Sequence, residues 1–348
     1  MTELLRQISP ADQQVYEDCI GRFNGIAKPL GSLGKLETLL ARAAAASGTA
    51  DVNLNKKCVL VFCADNGVVG QGVAQSTHAV TTAIGRSLVR GTASVNVMAR
   101  AAGADTFPVD VGMVDTVSGL LQKKLFCGTE DISCGPAMSR ADAETLILTG
   151  AELVREKAAE GYTVIAAGEA GIGNTTTSSA VAAVLLGLPV ETVTGRGSGL
   201  SDAGLRRKQE VIHNSIMVNY PDAEDPLDVL AKVGGADLAA MTGAFLGGAA
   251  CRVPMVIDGL IASVAALCAV RICPAVKGYL LPSHLTAEPA GIKIMEELGL
   301  EPMLHGDMRL GEGTGAVALF PMLDMAAAVY NHAATFADIQ VEAYQKQV

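Results

Sequence analysis

TVIAAGEAGIGNTTTSSAVAAVLLG, residues 163–187, changes character twice. A short β-rich apolar run gives way to a glycine-bearing turn, and the turn to an Ala-rich stretch with the look of a helix. The same unit recurs on either side. KCVLVFC (57–63) leads into ADNGVVGQG and a helical segment near 79–102, and TFPVDVG (106–112) follows. VPMVID (253–258) leads into GLIASVAALCAV, and KGYLLPS (277–283) closes the series. Continuous apolar runs of this length alternating with helices predict buried parallel strands, hence an α/β fold with helices flanking the sheet. Its crossovers should be right-handed. The ends differ: residues 1–49 are helical around KPLGSLGKLE, and 285–348 are mainly helical with a polar tail. The expected organisation is a large α/β domain over 50–284 and a small helical domain built from 1–49 and 285–348.

Composition narrows the function. The chain has 348 residues, 50% of them hydrophobic and 18% charged, with 38 Gly, 4% aromatics and no Trp. That favours closely packed helices on a sheet and argues against aromatic platforms that stack nucleic-acid bases. A formal charge of −10 leaves no general basic field for a polyanion, so no nucleic-acid partner is expected. The most apolar stretch is interrupted by Arg252, Pro254 and Asp258, so no membrane span is expected either. The eight cysteines include no C-x-x-C pair and several lie in apolar runs, as reduced core residues of a cytoplasmic protein would. MTELLRQISPADQQ has no signal-peptide character. The five histidines form no zinc-type cluster, and no metal is expected.

In an open α/β sheet, ligands bind beyond the carboxyl ends of the strands. Three glycine-rich stretches belong there. In GEAGIGNTTT (168–177), Gly171 and Gly173 admit a close ligand, while Asn174, Thr175 and Thr176 add donors at a helix start that attracts anions. An ordinary capped turn reads equally well. In TGRGSGLSDAGLRRK (194–208), Lys208 either reaches a phosphate or is a solvated helix cation. In RLGEGTGAVALFPMLDMA (309–326), Glu312 lies between glycines, with Arg309 three residues before it. It is either a solvated acid on a surface turn or a general base in a side-chain-poor cleft. Asp65, Asp237 and Asp258 are candidate supporting acids. No G-x-S-x-G, P-loop or dinucleotide fingerprint is present.

Seven segments, KPLGSLGKLE (28–37), ADNGVV (64–69), GPAMSR (135–140), GEAGIGNTT (168–176), KVGGADLAAMTG (232–243), PSHLTAE (282–288) and MRLGEGTGA (308–316), resemble the nicotinate-nucleotide:dimethylbenzimidazole phosphoribosyltransferases in order and over nearly the whole chain. The resemblance implies a Rossmann-like fold and transfer of the phosphoribosyl group of nicotinate mononucleotide to an aromatic base, without cofactor or metal. It implies a homodimer, or a heterodimer with a paralogue. Matched residue by residue, Glu312 is the base that takes the acceptor's proton and Glu169 a second acid in proton handling. The phosphate falls to Gly171, Gly173, Asn174, Thr175, Thr176, Lys208 and Arg309. Ser76, Ile84 and Leu310 fall in the aromatic-base pocket. A base in a mostly apolar pocket should have a raised pKa. Ile84 stands where benzimidazole-using members carry glutamine, which leaves phenol or p-cresol open as the acceptor. The rivals are a noncatalytic paralogous partner subunit and a nicotinamide-dependent oxidoreductase, the latter lacking its fingerprint.

Overall fold

The computed structural model describes residues 1–345. Six strands, β1 (Lys57–Ala64), β2 (Ala104–Gly112), β3 (Leu121–Gln122), β4 (Val164–Ala170), β5 (Met255–Ile257) and β6 (Leu280–Pro282), form one sheet in the order β3-β2-β1-β4-β5-β6. Every pairing is parallel. The chain runs outward from β1 to β3, then returns through the helix Arg140–Ala159 to β4 and runs outward the other way. The strand order therefore reverses between β1 and β4, and a crevice opens at their carboxyl ends.

β1 shows why an unbroken apolar run is required. Every one of its residues is buried. Cys58, Leu60 and Phe62 enter the core on one face, and Val59, Val61 and Cys63 that on the other. Each such side chain, removed from water, contributes roughly 1.5–3 kcal/mol. The first face is covered by the helices Arg140–Ala159, Asn174–Leu186, Ala236–Cys251 and Leu260–Ile272. The second is covered by Gln13–Gly25, Lys35–Ser47, Ser94–Ala101 and Thr314–His332, so helices from both ends of the chain pack there together.

The Gly and Ala content is used between helices. Ala236–Cys251 lies against Arg140–Ala159 so closely that a Cβ on Gly243 would come 2.5 Å from the Ile147 carbonyl carbon. One on Gly247 would come 2.7 Å from Ala151 Cα. Among the described residues, no helix is long and apolar enough to cross a membrane.

Three local expectations need correction. The helical segment near 79–102 is two helices, His78–Arg90 and Ser94–Ala101, separated at Gly91, whose φ of +71° ends the first. In KGYLLPS only Leu280–Pro282 is extended, because Pro274 starts a 3-10 turn that runs to Tyr279. β3 has no counterpart among the expected strands: its two exposed residues leave no apolar run to read.

Candidate active site

The crevice between β1 and β4 contains a cavity walled by Glu169, Gly171, Thr175, Asp258, Ile84 and Glu312, among others. β4 ends in Gly168-Glu169-Ala170. Gly168 lacks a side chain because the arm bearing Glu312 lies on it: a Cβ there would be 2.6 Å from Glu312 C and Gly313 N. The Glu312 N–H donates to the Glu169 carbonyl at 3.1 Å. Asp258, just past β5, accepts from the N–H groups of Gly313 (3.1 Å), Gly315 (2.7 Å) and Ala316 (3.1 Å), capping the helix Thr314–His332. These bonds hold Glu312 at φ +61°, in the left-handed region. Its half-buried carboxylate faces the cavity and accepts, through Oε2, the Val95 N–H at 3.2 Å from the first turn of Ser94–Ala101. A helix N-terminus favours negative charge there. Glu312 is thus not a solvated acid on a surface turn.

Beside it stands a second carboxylate system. Asn174 Nδ2 donates to Glu169 Oε2 at 2.5 Å and to Asp237 Oδ2 at 2.9 Å. Burial, with the negative charge of Asp237, pushes the Glu169 carboxyl up to about 8. Burial takes Asp237 up to about 6. Asp258 is raised by burial, opposed by His284; His284 is lowered by burial, opposed by Asp258. Burial thus raises Glu169, the second acid of the expectation rather than its base.

The anion cradle is built from glycine turns. Gly171 and Gly173 are barred from side chains by Ala64 O (2.5 Å from a Cβ) and Val69 Cγ2 (2.6 Å). They, Asn174 and Thr175 border the cavity. Thr176 does not: it is wholly buried and its N–H donates to Gly173 O at 2.9 Å. Lys208 is buried rather than solvated, with Nζ donating to Thr175 Oγ1 at 2.8 Å and Gly195 O at 3.2 Å. Burial lowers its pKa to about 8, against the pull of Glu288. Arg309 lies exposed at the rim, as does Leu310, while Ile84 forms part of the wall. Ser76 lies outside it.

Glu288 and Arg196 also border the cavity, and the sequence singles out neither. Glu288 accepts the Gly197 N–H at 3.0 Å. Although Glu288 ends the quoted PSHLTAE, nothing local ties it to a loop so far back in the chain. His284, which by sequence belongs to no cluster, borders the same cavity next to Asp258.

A phosphoribosyltransferase family model matches residues 8–341. A nicotinate-nucleotide–dimethylbenzimidazole phosphoribosyltransferase of Acetivibrio thermocellus is 45% identical over 94% of each chain. Its namesake from Ruminiclostridium cellulolyticum is 44% identical over 99% of this chain and 98% of the other. The chain belongs to the nicotinate-nucleotide–dimethylbenzimidazole phosphoribosyltransferase family. Among solved structures, a Thermus thermophilus protein described as CobT superposes on this phosphoribosyltransferase with a TM-score of 0.90. It is 40% identical, and the match covers 94% of this chain and 99% of the other. The Rossmann-like parallel sheet expected from the resemblance is the observed fold of this family member.

Proposed function

We propose that this phosphoribosyltransferase moves the phosphoribosyl group of nicotinate mononucleotide to a dimethylbenzimidazole-type base in cobamide lower-ligand assembly. Nicotinate and an α-linked ribotide are the products. In the transfer, an acceptor nitrogen forms a bond to the anomeric carbon as the bond to the pyridinium nitrogen breaks. The departing ring keeps the electron pair and leaves neutral at nitrogen, so it needs little acid help. The acceptor sheds a proton, which Glu312 takes. Gly171, Gly173, Asn174, Thr175, Lys208 and Arg309 hold the phosphate. The anchored phosphate fixes the sugar without taking part in bond changes.

The observation that carries this reading is a half-buried carboxylate, Glu312, on the same cavity as a glycine-turn helix start backed by a buried lysine. Incubation of the purified chain with nicotinate mononucleotide and dimethylbenzimidazole should release nicotinate. No release with any benzimidazole, purine or phenol would favour the noncatalytic partner reading.

Ile84 in the cavity wall supports a second acceptor class, phenol or p-cresol, since an apolar side chain there offers no polar partner to a base. Offering dimethylbenzimidazole, adenine, phenol and p-cresol together and identifying the ribotide decides between them. We further propose that the enzyme acts as a homodimer in the cytoplasm. Eight free thiols, four of them buried, suit a reducing compartment.

A further inference from the structure

Two acids beside the cavity, Glu169 and Asp237, share one side-chain donor. The Asn174 amide has two hydrogens, and one goes to Glu169 and the other to Asp237. Asp237 is wholly buried at the start of Ala236–Cys251, and its second oxygen accepts the Leu238 N–H. Acids crowd this pair, Asp258 and Glu312 beside Glu169 and Asp65 beside Asp237, while the cations Arg196 and Arg309 border the same cavity. His78 and His284 stand one group further out, against Asp65 and Asp258. Asp65 Oδ1 and Asn66 Oδ1 are buried with no donor. Two carboxylates bound to one nitrogen in so donor-poor a place are not both ionised at neutral pH.

We propose that Glu169, Asn174 and Asp237 form one unit holding a single proton, so that Glu169 meets the cavity as a neutral acid whose O–H donates to an anionic group of the substrate. Asp237 and Asn174 act through Glu169 and are positioning residues. The unit also reduces the repulsion that the carboxylates of this cavity offer an anionic nucleotide, beside the cations Arg196 and Arg309: one acid presents a donor instead of a charge. Burial and the Asp237 charge, which together keep the Glu169 carboxyl up at about 8, agree. The proton itself rests on two acids gathered on one amide, Asp237 wholly buried, with Asp65, Asp258 and Glu312 around them. The identity of the anion, a ring carboxylate or a sugar phosphate, rests on the reading above.

The test uses the full chain with 13C-labelled glutamate carboxyls, the Glu169 signal being assigned by its loss in Glu169→Gln. Glu169 should titrate near pH 8, and the isosteric Asp237→Asn should move it down by about one unit or more. Titration in the ordinary carboxylate range, or no movement in Asp237→Asn, overturns the proposal. Calorimetry at pH 7 with nicotinate and with ribose 5-phosphate identifies the anion. The ligand bearing it should bind Glu169→Gln, which keeps a donor, within about threefold of native, and Glu169→Ala at least about tenfold more weakly. Equal losses in both variants with both ligands overturn the donor role. If neither ligand binds the native chain, the substrate reading fails, and the titration alone decides the shared proton.

Discussion

Glu312 occupies a backbone conformation that a non-glycine residue enters at a cost of about 1–2 kcal/mol, and its neighbours hold it there through main-chain bonds. Its side chain has one structural duty, accepting the Val95 N–H, which a glutamine oxygen also performs. Glu312→Gln should therefore keep fold and substrate affinity while kcat falls about 10²–10⁴-fold. Steady-state kinetics with both substrates checks this, and near-normal turnover would remove Glu312 from the role of base. Lys208 gives the opposite signature. With its ammonium buried against Thr175 and Gly195, Lys208→Met should raise the Michaelis constant for the nucleotide about 10–100-fold and move kcat less. Arg309→Ala, at the exposed rim, should raise it only a few-fold. Both Glu312 and Lys208 read ambiguously in the sequence. A glutamate between glycines, or a lysine on a polar helix, looks the same whether solvated or enclosed, because what encloses it comes from Val95 and Glu169 in one case and from Thr175 in the other.

At the scale of elements, much is legible. Unbroken apolar runs followed by glycine turns mark β1 and β4, since only strands buried on both faces demand such runs. The turn after β4 belongs at the ligand edge for the same reason. The two-residue β3, the break at Gly91 and the 3-10 turn at Pro274 are not legible, because short or exposed segments carry no period to detect. Least legible is the docking of the Glu312 arm on β4, which depends on Gly168 having no side chain. Gly168→Ala should lift that arm, reducing turnover at least about tenfold and stability by about 1–3 kcal/mol. Denaturant titration paired with kinetics tests it; unaltered values in both would mean the arm can shift without loss.

Across the whole molecule, acids gathered at one edge of the sheet make stability depend on pH. Glu169 and Asp237 bind protons more tightly folded than unfolded, so the stability they contribute is complete below their ordinary pKa values. It is lost as pH rises through about 6 for Asp237 and about 8 for Glu169. Glu169→Gln removes a charge that the fold disfavours and should raise the melting midpoint at pH 9 by on the order of 2 °C, with little gain at pH 5. Scanning calorimetry at both values is the check; equal shifts at the two would assign the gain to packing.

The tight seam between Ala236–Cys251 and Arg140–Ala159 reaches further than its own contacts. Asp237 sits in the first turn of the helix whose Gly243 touches the Ile147 backbone, about 9 Å further along the axis. A single methyl at 243 would prise that helix off its neighbour and swing Asp237 away from Asn174. Damage to the proton-bearing corner could thus arise from a residue no ligand ever approaches, and would look like a chemical defect while originating in a helix seam.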